Sequence, residues 1–351
     1  MRRVLKLVGI LALGVGLVVY PFVVPQPQFW VLNVGVKAIW LGTTALSLTF
    51  LQKFTGLLSL GQLAFYGMAG YAIAYLTSEN GWSYAASIPL AIAFGTLLGL
   101  LVALFAVRSS GVYFLMLTLA VSQLMFFAAL QAYPVTGGHS GITGVQPPTI
   151  AGLDLATPLG LYWFALLVAA LLYALCRYLS RTPFGLAMEG VRDSEERMRA
   201  LGYNVYALKV AAFTVAAFVA STSGVVALFY HRQITPDGVG LISSIDVLVA
   251  AVLGGAASLP GAYLGAAALT FVQNFAQFFT PRHLTLTGAV FVIVVMFFPG
   301  GIAGLGRQFK GYALRYRSHR ARHRAAVAPP APDGGQREVK ALRSEGGSSH
   351  E

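Results

Sequence analysis

Ten stretches of this chain, at about 4–24, 30–51, 57–77, 84–107, 111–132, 159–179, 208–230, 242–259, 261–280 and 283–302, are apolar over enough residues to be membrane-crossing helices. A hydrocarbon core ~30 Å thick takes about 20 helical residues. Backbone polar groups inside it must find partners within their own segment, which excludes open sheets. The chain as a whole cannot clothe a soluble globule, because only 10% of its 351 residues are charged and 57% are hydrophobic. The expected fold class is an all-α polytopic membrane protein with about ten transmembrane helices. The eighth segment is the weakest, since Ser243, Ser244 and Asp246 shorten its apolar part and Gly254, Gly255 and Pro260 break it early. The start, basic and then apolar, has the shape of a signal peptide, but no A-x-A-like site precedes Pro21, so it is read as an uncleaved first span.

Charge orients the segments. If all ten span, 21 of the 24 Lys and Arg fall on one side, with Arg232 and Arg282 opposite and Lys37 inside a span. The positive-inside bias makes that side cytoplasmic and places both termini there. A re-entrant eighth segment alone would move the basic tail outside, so ten full spans are expected. Residues 1–306 form the expected transmembrane domain. Residues 307–351 form a tail, basic from Arg307 to Arg324, where it suits anionic lipid headgroups, and then rich in Ala, Pro, Gly and Ser as disordered segments are.

Between the two hydrophobic halves runs RTPFGLAMEGVRDSEERMRALGYNVYALK, Arg181–Lys209. Thr182 suits an N-cap, Pro183 the first helical position and Gly202 a left-handed stop, so one amphipathic helix of about 19 residues, Pro183 to Leu201, is expected. Phe184, Met188, Val191, Met198 and Leu201 lie along its apolar stripe. Asp193–Arg197 and Glu195–Arg199 are acid-first i,i+4 pairs on the polar side. A helix resting on anionic lipid should carry excess Lys and Arg. Here Glu189, Asp193, Glu195 and Glu196 outnumber Arg192, Arg197 and Arg199, which favours a protein partner. Five spans stand on each side of this helix, and an odd number per half means that any internal repeat is inverted. SLGQLAFYG at Ser59–Gly67 and SLPGAYLG at Ser258–Gly265 are the two runs that look alike.

No catalytic constellation and no metal-binding set is present: the chain lacks a phosphate loop, H-E-x-x-H and G-x-S-x-G, and its histidines are scattered. The single cysteine, Cys176, excludes an intrachain disulfide and reads as a buried small hydrophobe. Asp246 and Lys37 are the embedded ionisable groups, too few for a proton-coupled carrier. Gln62, Gln123, Gln273, Asn274 and Gln277 must face protein or water. Two readings of these amides stand side by side: hydrogen bonds between helices, or, together with Asp246, the lining of a path for a neutral or zwitterionic solute. In the second reading Gln273 and Gln277 share a face at i,i+4.

Five runs in order carry a resemblance: LSLGQLAFYGMAGY at Leu58–Tyr71, YFLMLTLAVSQL at Tyr113–Leu124, TGGHSGI at Thr136–Ile142, the Arg181–Lys209 stretch, and LVAAVLGGAASLPGAYLGAA at Leu248–Ala267. Over about Leu41 to Gly304 the chain resembles the LivM-type permeases of high-affinity branched-chain amino-acid ABC importers. The resemblance implies a permease for branched-chain amino acids in the inner membrane of a bacterium. Its implied partners are a related sister permease in a heterodimer, two ATP-binding cassette subunits and a periplasmic or lipid-anchored solute-binding protein, with no nucleic acid among them. It implies no cofactor on this chain, ATP and Mg being bound by the partner subunits. It implies that a coupling helix at about 183–204 sits in a cleft of the ATPase through Glu189, Gly190, Val191, Arg192, Asp193, Glu195, Met198, Leu201, Gly202 and Asn204. The family usually has a basic residue where Glu189 stands, Ala where Gly190 stands and commonly Glu where Asp246 stands. Permeases for urea and short amides are similar to this family and are the alternative solute class. A stand-alone secondary transporter is the alternative mechanism.

Overall fold

The computed structural model describes residues 20–21, 28–150, 152–255 and 258–279, with the single positions 288, 296 and 301. Nearly all of the expected first and tenth spans, and the whole tail, lie outside the described residues. A π-helical segment, Gln28–Val36, runs into α1 (Lys37–Thr55), followed by α2 (Gln62–Ala74), α3 (Tyr84–Ala106), α4 (Gly111–Gln131) and the single turn α5 (Tyr133–Thr136). The loop beyond holds β1 (Ile142–Thr143), β2 (Thr149–Ile150) and β3 (Leu153–Asp154). Then come α6 (Pro158–Leu179), α7 (Pro183–Asp193), α8 (Glu195–Ala200), α9 (Val205–His231), β4 (Gln233–Ile234), α10 (Leu241–Gly254) and α11 (Leu259–Phe279). Among the described residues, Gln28–Thr55, α3, α4, α6 and α9 are long and apolar enough to cross a membrane, and α10–α11 makes a sixth if that bent pair counts as one. The chain is an all-α polytopic membrane protein.

Two helices form the centre. In Gln28–Thr55 and α9, 72% and 78% of the most apolar window is buried, against 22% in α3 and α4, whose Phe94, Leu97, Leu101, Met116 and Leu124 point outward as lipid-facing side chains do. Buried hydroxyls on α1 are tolerated because they bond back to the helix: Thr43, Thr44 and Thr55 donate to the carbonyls of Ile39, Trp40 and Leu51 at 2.8, 3.1 and 2.7 Å. Across the pair, Thr44 Oγ1 and Ser223 Oγ are 2.8 Å apart, and Tyr230 Oη donates to Asn33 Oδ1 at 3.3 Å. From Asn33 to Thr44 the chain advances while its partners fall back from Tyr230 to Ser223, so the span Gln28–Thr55 and α9 run antiparallel.

Small residues set the spacing around α9. Gly95 and Gly99 of α3 lie against Ser221 and Ala217, and Gly224 lies against the backbone of Tyr66 in α2, so none has room for a side chain. Without a hydrophobic force between helices in lipid, such close approach supplies the packing. Gly224→Leu is therefore expected to lower stability by about 3 kcal/mol, the upper end for overpacking. Thermal unfolding in detergent reads this against Gly238→Leu, because a side chain at Gly238 would meet no other atom within 4 Å of its Cβ.

The helix contacts repeat: α1 packs on α10 and α11, as α9 packs on α2 and α3. The two runs that look alike in sequence open α2 and α11, one helix from each set.

The expected full span at 242–259 is corrected by the fold. Helix α10 has 14 residues, about 21 Å at 1.5 Å per residue, and the chain bends by 117° into α11. Gly42, midway along the span Gln28–Thr55, packs on Tyr263 near the start of α11, while Asn274 near the end of α11 donates to the Asn33 carbonyl at 3.1 Å. The turn between α10 and α11 therefore lies beside the middle of that span, and the pair turns back. The reason is local: Gly254, Gly261 and Gly265 let the two backbones touch where a continuous helix would have carried on. A returning pair removes two crossings from ten, so the parity on which the charge argument rests is unchanged.

Candidate functional site

A cavity of about 220 Å³ opens at the end of α1 and α9 where Lys37 meets His231. Helix α1 lines it with Lys37, Trp40 and Leu41, α2 with Leu63 and Tyr66, and α9 with Ala227, Leu228 and His231. Asp246 and Val247 enter from α10 and Gln273 from α11. Lys37 and Asp246 are close enough to feel each other's charge, and Gln273 stands beside the Asp246 carboxylate. Among the described residues they form no direct ion pair. Trp40 stands beside Tyr66 and His231 with ring centroids 5.8 and 5.6 Å away, and its buried indole N–H has no protein partner among the described residues.

Loops roof this end. Strand β1 pairs antiparallel with β4, Ile142 opposite Ile234 and Thr143 opposite Gln233. Gly141, at φ 67°, lies against the Ile234 carbonyl, where any side chain would collide. Arg232 ends α9 in the left-handed conformation, takes Val145 N–H on its carbonyl at 3.1 Å and donates from Nη2 to the Ala156 carbonyl at 2.9 Å. The 133–157 loop is thereby stitched to the segment that walls the cavity.

Of the six polar residues expected along a path, the cavity brings together Asp246 and Gln273. Gln62 is buried at the start of α2, where its Oε1 accepts from Ser47 at 3.3 Å. Gln123 is half-buried on α4, away from the cavity lining. Asn274 donates to the carbonyls of Asn33 and Thr270. Gln277 is exposed, so the face expected to join Gln273 and Gln277 is divided. Lys37, Trp40, Tyr66 and His231 were missing from the sequence-derived set. Lys37 carried a signal, since two opposite charges in two apolar spans call for each other.

At the far end of α1 lie α7 and α8, which correct the expectation of one rigid helix over 183–201. Ser194 is extended, at φ −165° and ψ 105°, and its Oγ accepts from Arg197 N–H at 3.4 Å as the N-cap of a new helix. Asp193 and Arg197 no longer share a helix, and Asp193 instead holds Arg192 at 2.8 Å, while Glu195–Arg199 remains at 3.6 Å. The Schellman turn at Gly202, φ 84°, closes α8 through Tyr203 N–H to the Met198 carbonyl at 3.1 Å. Asn204 caps α9 by accepting from Ala207 N–H at 3.0 Å.

The apolar stripe is also corrected. Met188, Val191 and Met198 are buried within the chain itself, Val191 and Met198 in a cluster with Ala187 and Val205. Gly190 lets Met198 fold over α7, and Glu189 is half-buried. The surface instead presents Leu186, Leu201 and Tyr203 among Arg192, Asp193, Glu196, Arg197 and Arg199.

Residues 30–298 match the family described as the permease component of branched-chain amino acid transport systems. The chain is 28% identical to the high-affinity branched-chain amino acid transport system permease protein LivM of Salmonella typhimurium, over 85% of this chain and 75% of the relative. It is 27% identical to LivM of Escherichia coli over 87% of this chain and 76% of the relative. The permease protein LivH of the same organism is 25% identical over 43% of this chain and 49% of its own length. No solved structure matches the chain. With the match running through the cavity-lining helices and through α7 and α8 alike, the chain belongs to the permease family of branched-chain amino acid transport systems.

Proposed function

We propose that this chain is the permease subunit of an ABC importer and forms part of the translocation path for branched-chain amino acids. The cavity carries this reading. It combines a cation, Lys37, an anion, Asp246, and an apolar wall from Leu41, Leu63 and Val247. A zwitterion with an aliphatic side chain presents the complement of all three. Urea and short amides carry no charge to offer either group, a mismatch that costs most where water is excluded.

Likeness to both LivM and LivH supports a sister permease as the other half of the path. The exposed Leu186, Leu201 and Tyr203, set among mixed charges at the opposite end of α1, support docking of two ATPase subunits there. On this reading the chain binds no cofactor, ATP and Mg belong to those subunits, and a solute-binding protein delivers the amino acid to the roofed end. The membrane is the bacterial inner membrane, with both termini and the basic tail on the cytoplasmic side.

Uptake by vesicles holding the complex and its binding protein tests the solute class. Excess leucine, isoleucine or valine should suppress labelled leucine uptake, and excess urea or acetamide should not. Suppression by the amides alone would overturn the assignment.

A further inference from the structure

The cavity has a polar rim and an apolar depth, and the contacts between helices give its direction. Ile234, a residue of the roof, lies against Gly70 of α2, and Leu63 stands seven residues back toward the start of that helix. At 1.5 Å per residue this puts Leu63 about 10 Å below the roof. Just beneath it, Gln62 accepts from Ser47 at 3.3 Å, so α2 closes on α1 there. A second closure joins α1 to α9, through Thr44 and Ser223 at 2.8 Å and from Ser223 to the Trp40 carbonyl at 2.7 Å. The cavity is therefore a pocket with a floor.

Its lining changes character between roof and floor. His231 is three residues from Ile234, and Asp246 follows one turn after Ser243, which donates to the Asp237 carbonyl of the roof at 3.0 Å. Gln273 adjoins Asn274, whose partner, the Asn33 carbonyl, lies on the roof side of Lys37. Leu41 and Ala227 come one turn deeper, four residues on from Lys37 and four back from His231, and Leu63 lies at the bottom. All three deep residues are buried. The two charges of a zwitterion cannot be carried to that depth without losing their partners, which is costly. An aliphatic side chain gains by the same move, because each buried methylene is favourable.

We infer that an amino acid enters the cavity side chain first, its charged groups held at the rim, and that Leu63 and Ala227 set the length and width of side chain accepted. The inference rests on the cavity being the solute site proposed above. Leu63 ends the path of a straight chain. Ala227, with only a methyl group, leaves the room beside it that a branched chain needs. The permease thus discriminates among aliphatic amino acids through its own wall.

Binding to the full chain in detergent tests this with no partner present. Trp40 lines the cavity, so tryptophan fluorescence can follow a titration, and a Trp40→Phe chain shows which part of the signal comes from the cavity. Along the straight series alanine, norvaline, norleucine and the next longer homologue, affinity should rise about fourfold for each methylene that finds room. It should then fall at the length that meets Leu63. Leu63→Ala should move that fall to a longer side chain. Ala227→Val should weaken leucine and isoleucine about tenfold, a modest overpacking effect, and leave alanine little changed. One variant widens acceptance and the other narrows it, so a general loss of folding cannot produce the pair, and thermal unfolding of the unliganded chains reads folding separately.

A series that rises without a break in the unaltered chain, or a break that stays in place in Leu63→Ala, would overturn the inference and leave the cavity as the solute site. Equal weakening of alanine and leucine by Ala227→Val would overturn the part given to Ala227. Absence of any Trp40-dependent signal with leucine would instead overturn the cavity as the solute site, and the inference with it.

Discussion

Val191→Asp is expected to abolish accumulation of folded protein, whereas Leu201→Asp should leave the fold intact and release the ATPase. Periodicity alone puts both residues on the same stripe and treats them alike. The fold separates them, because Val191 is 1% exposed, packed with Ala187, Met198 and Val205, and Leu201 is 67% exposed. A carboxylate forced into the Val191 position has no partner in that cluster. The cost is on the order of several kcal/mol, a large fraction of the roughly 5–15 kcal/mol by which proteins are stable. At Leu201 the change stays in water, where substitutions cost within about 0.5 kcal/mol. A partner's apolar groove would nevertheless reject the charge. Thermal unfolding in detergent and co-purification of the ATPase subunits read the two effects separately. A Leu201→Asp chain that still retains its ATPase would show that docking does not use this face, and a stable Val191→Asp chain would show that the cluster does not hold the helices.

The contrast marks how far sequence could be read. The bounds of α3, α4, α6 and α9 were legible within a few residues, because long apolar runs are punctuated by Ser83, Ser110, Thr157–Pro158 and Asn204. Amphipathic spacing in 183–201 reported that one face is buried, but not that the burial is against the chain's own helices. Ser194 carried a helix-start signal, Ser followed by two acids. It was overridden by the apolar periodicity running through it. The glycines of 254–265 announced a break. The depth of that break depends on Gly42 meeting Tyr263, more than 200 positions away, and no local pattern records such a contact. Asn274 illustrates the same limit: an amide in a span needs a partner, and only the fold shows that it is the carbonyl of Asn33.

Lys37 and Asp246 were each legible as embedded charges, while their meeting in one cavity is a product of helix register. That meeting yields the last expected result. Asp246→Ala should lower leucine uptake about 100-fold, the upper range for losing a hydrogen bond to a charged group, and should destabilise the chain as well, since Lys37 keeps its charge in the cavity without a counter-charge. Lys37→Met should act in the same direction by the mirror-image argument. The double variant Lys37→Met/Asp246→Leu separates structure from transport. With both charges gone, stability should return to near that of the unaltered chain, but uptake should stay low, because neither charge of a zwitterion has a counterpart in an apolar cavity. Thermal unfolding in detergent and leucine uptake in reconstituted vesicles, measured on the same four proteins, give the two readouts. Recovery of uptake together with stability in the double variant would make the pair a structural feature and place solute recognition elsewhere along the path.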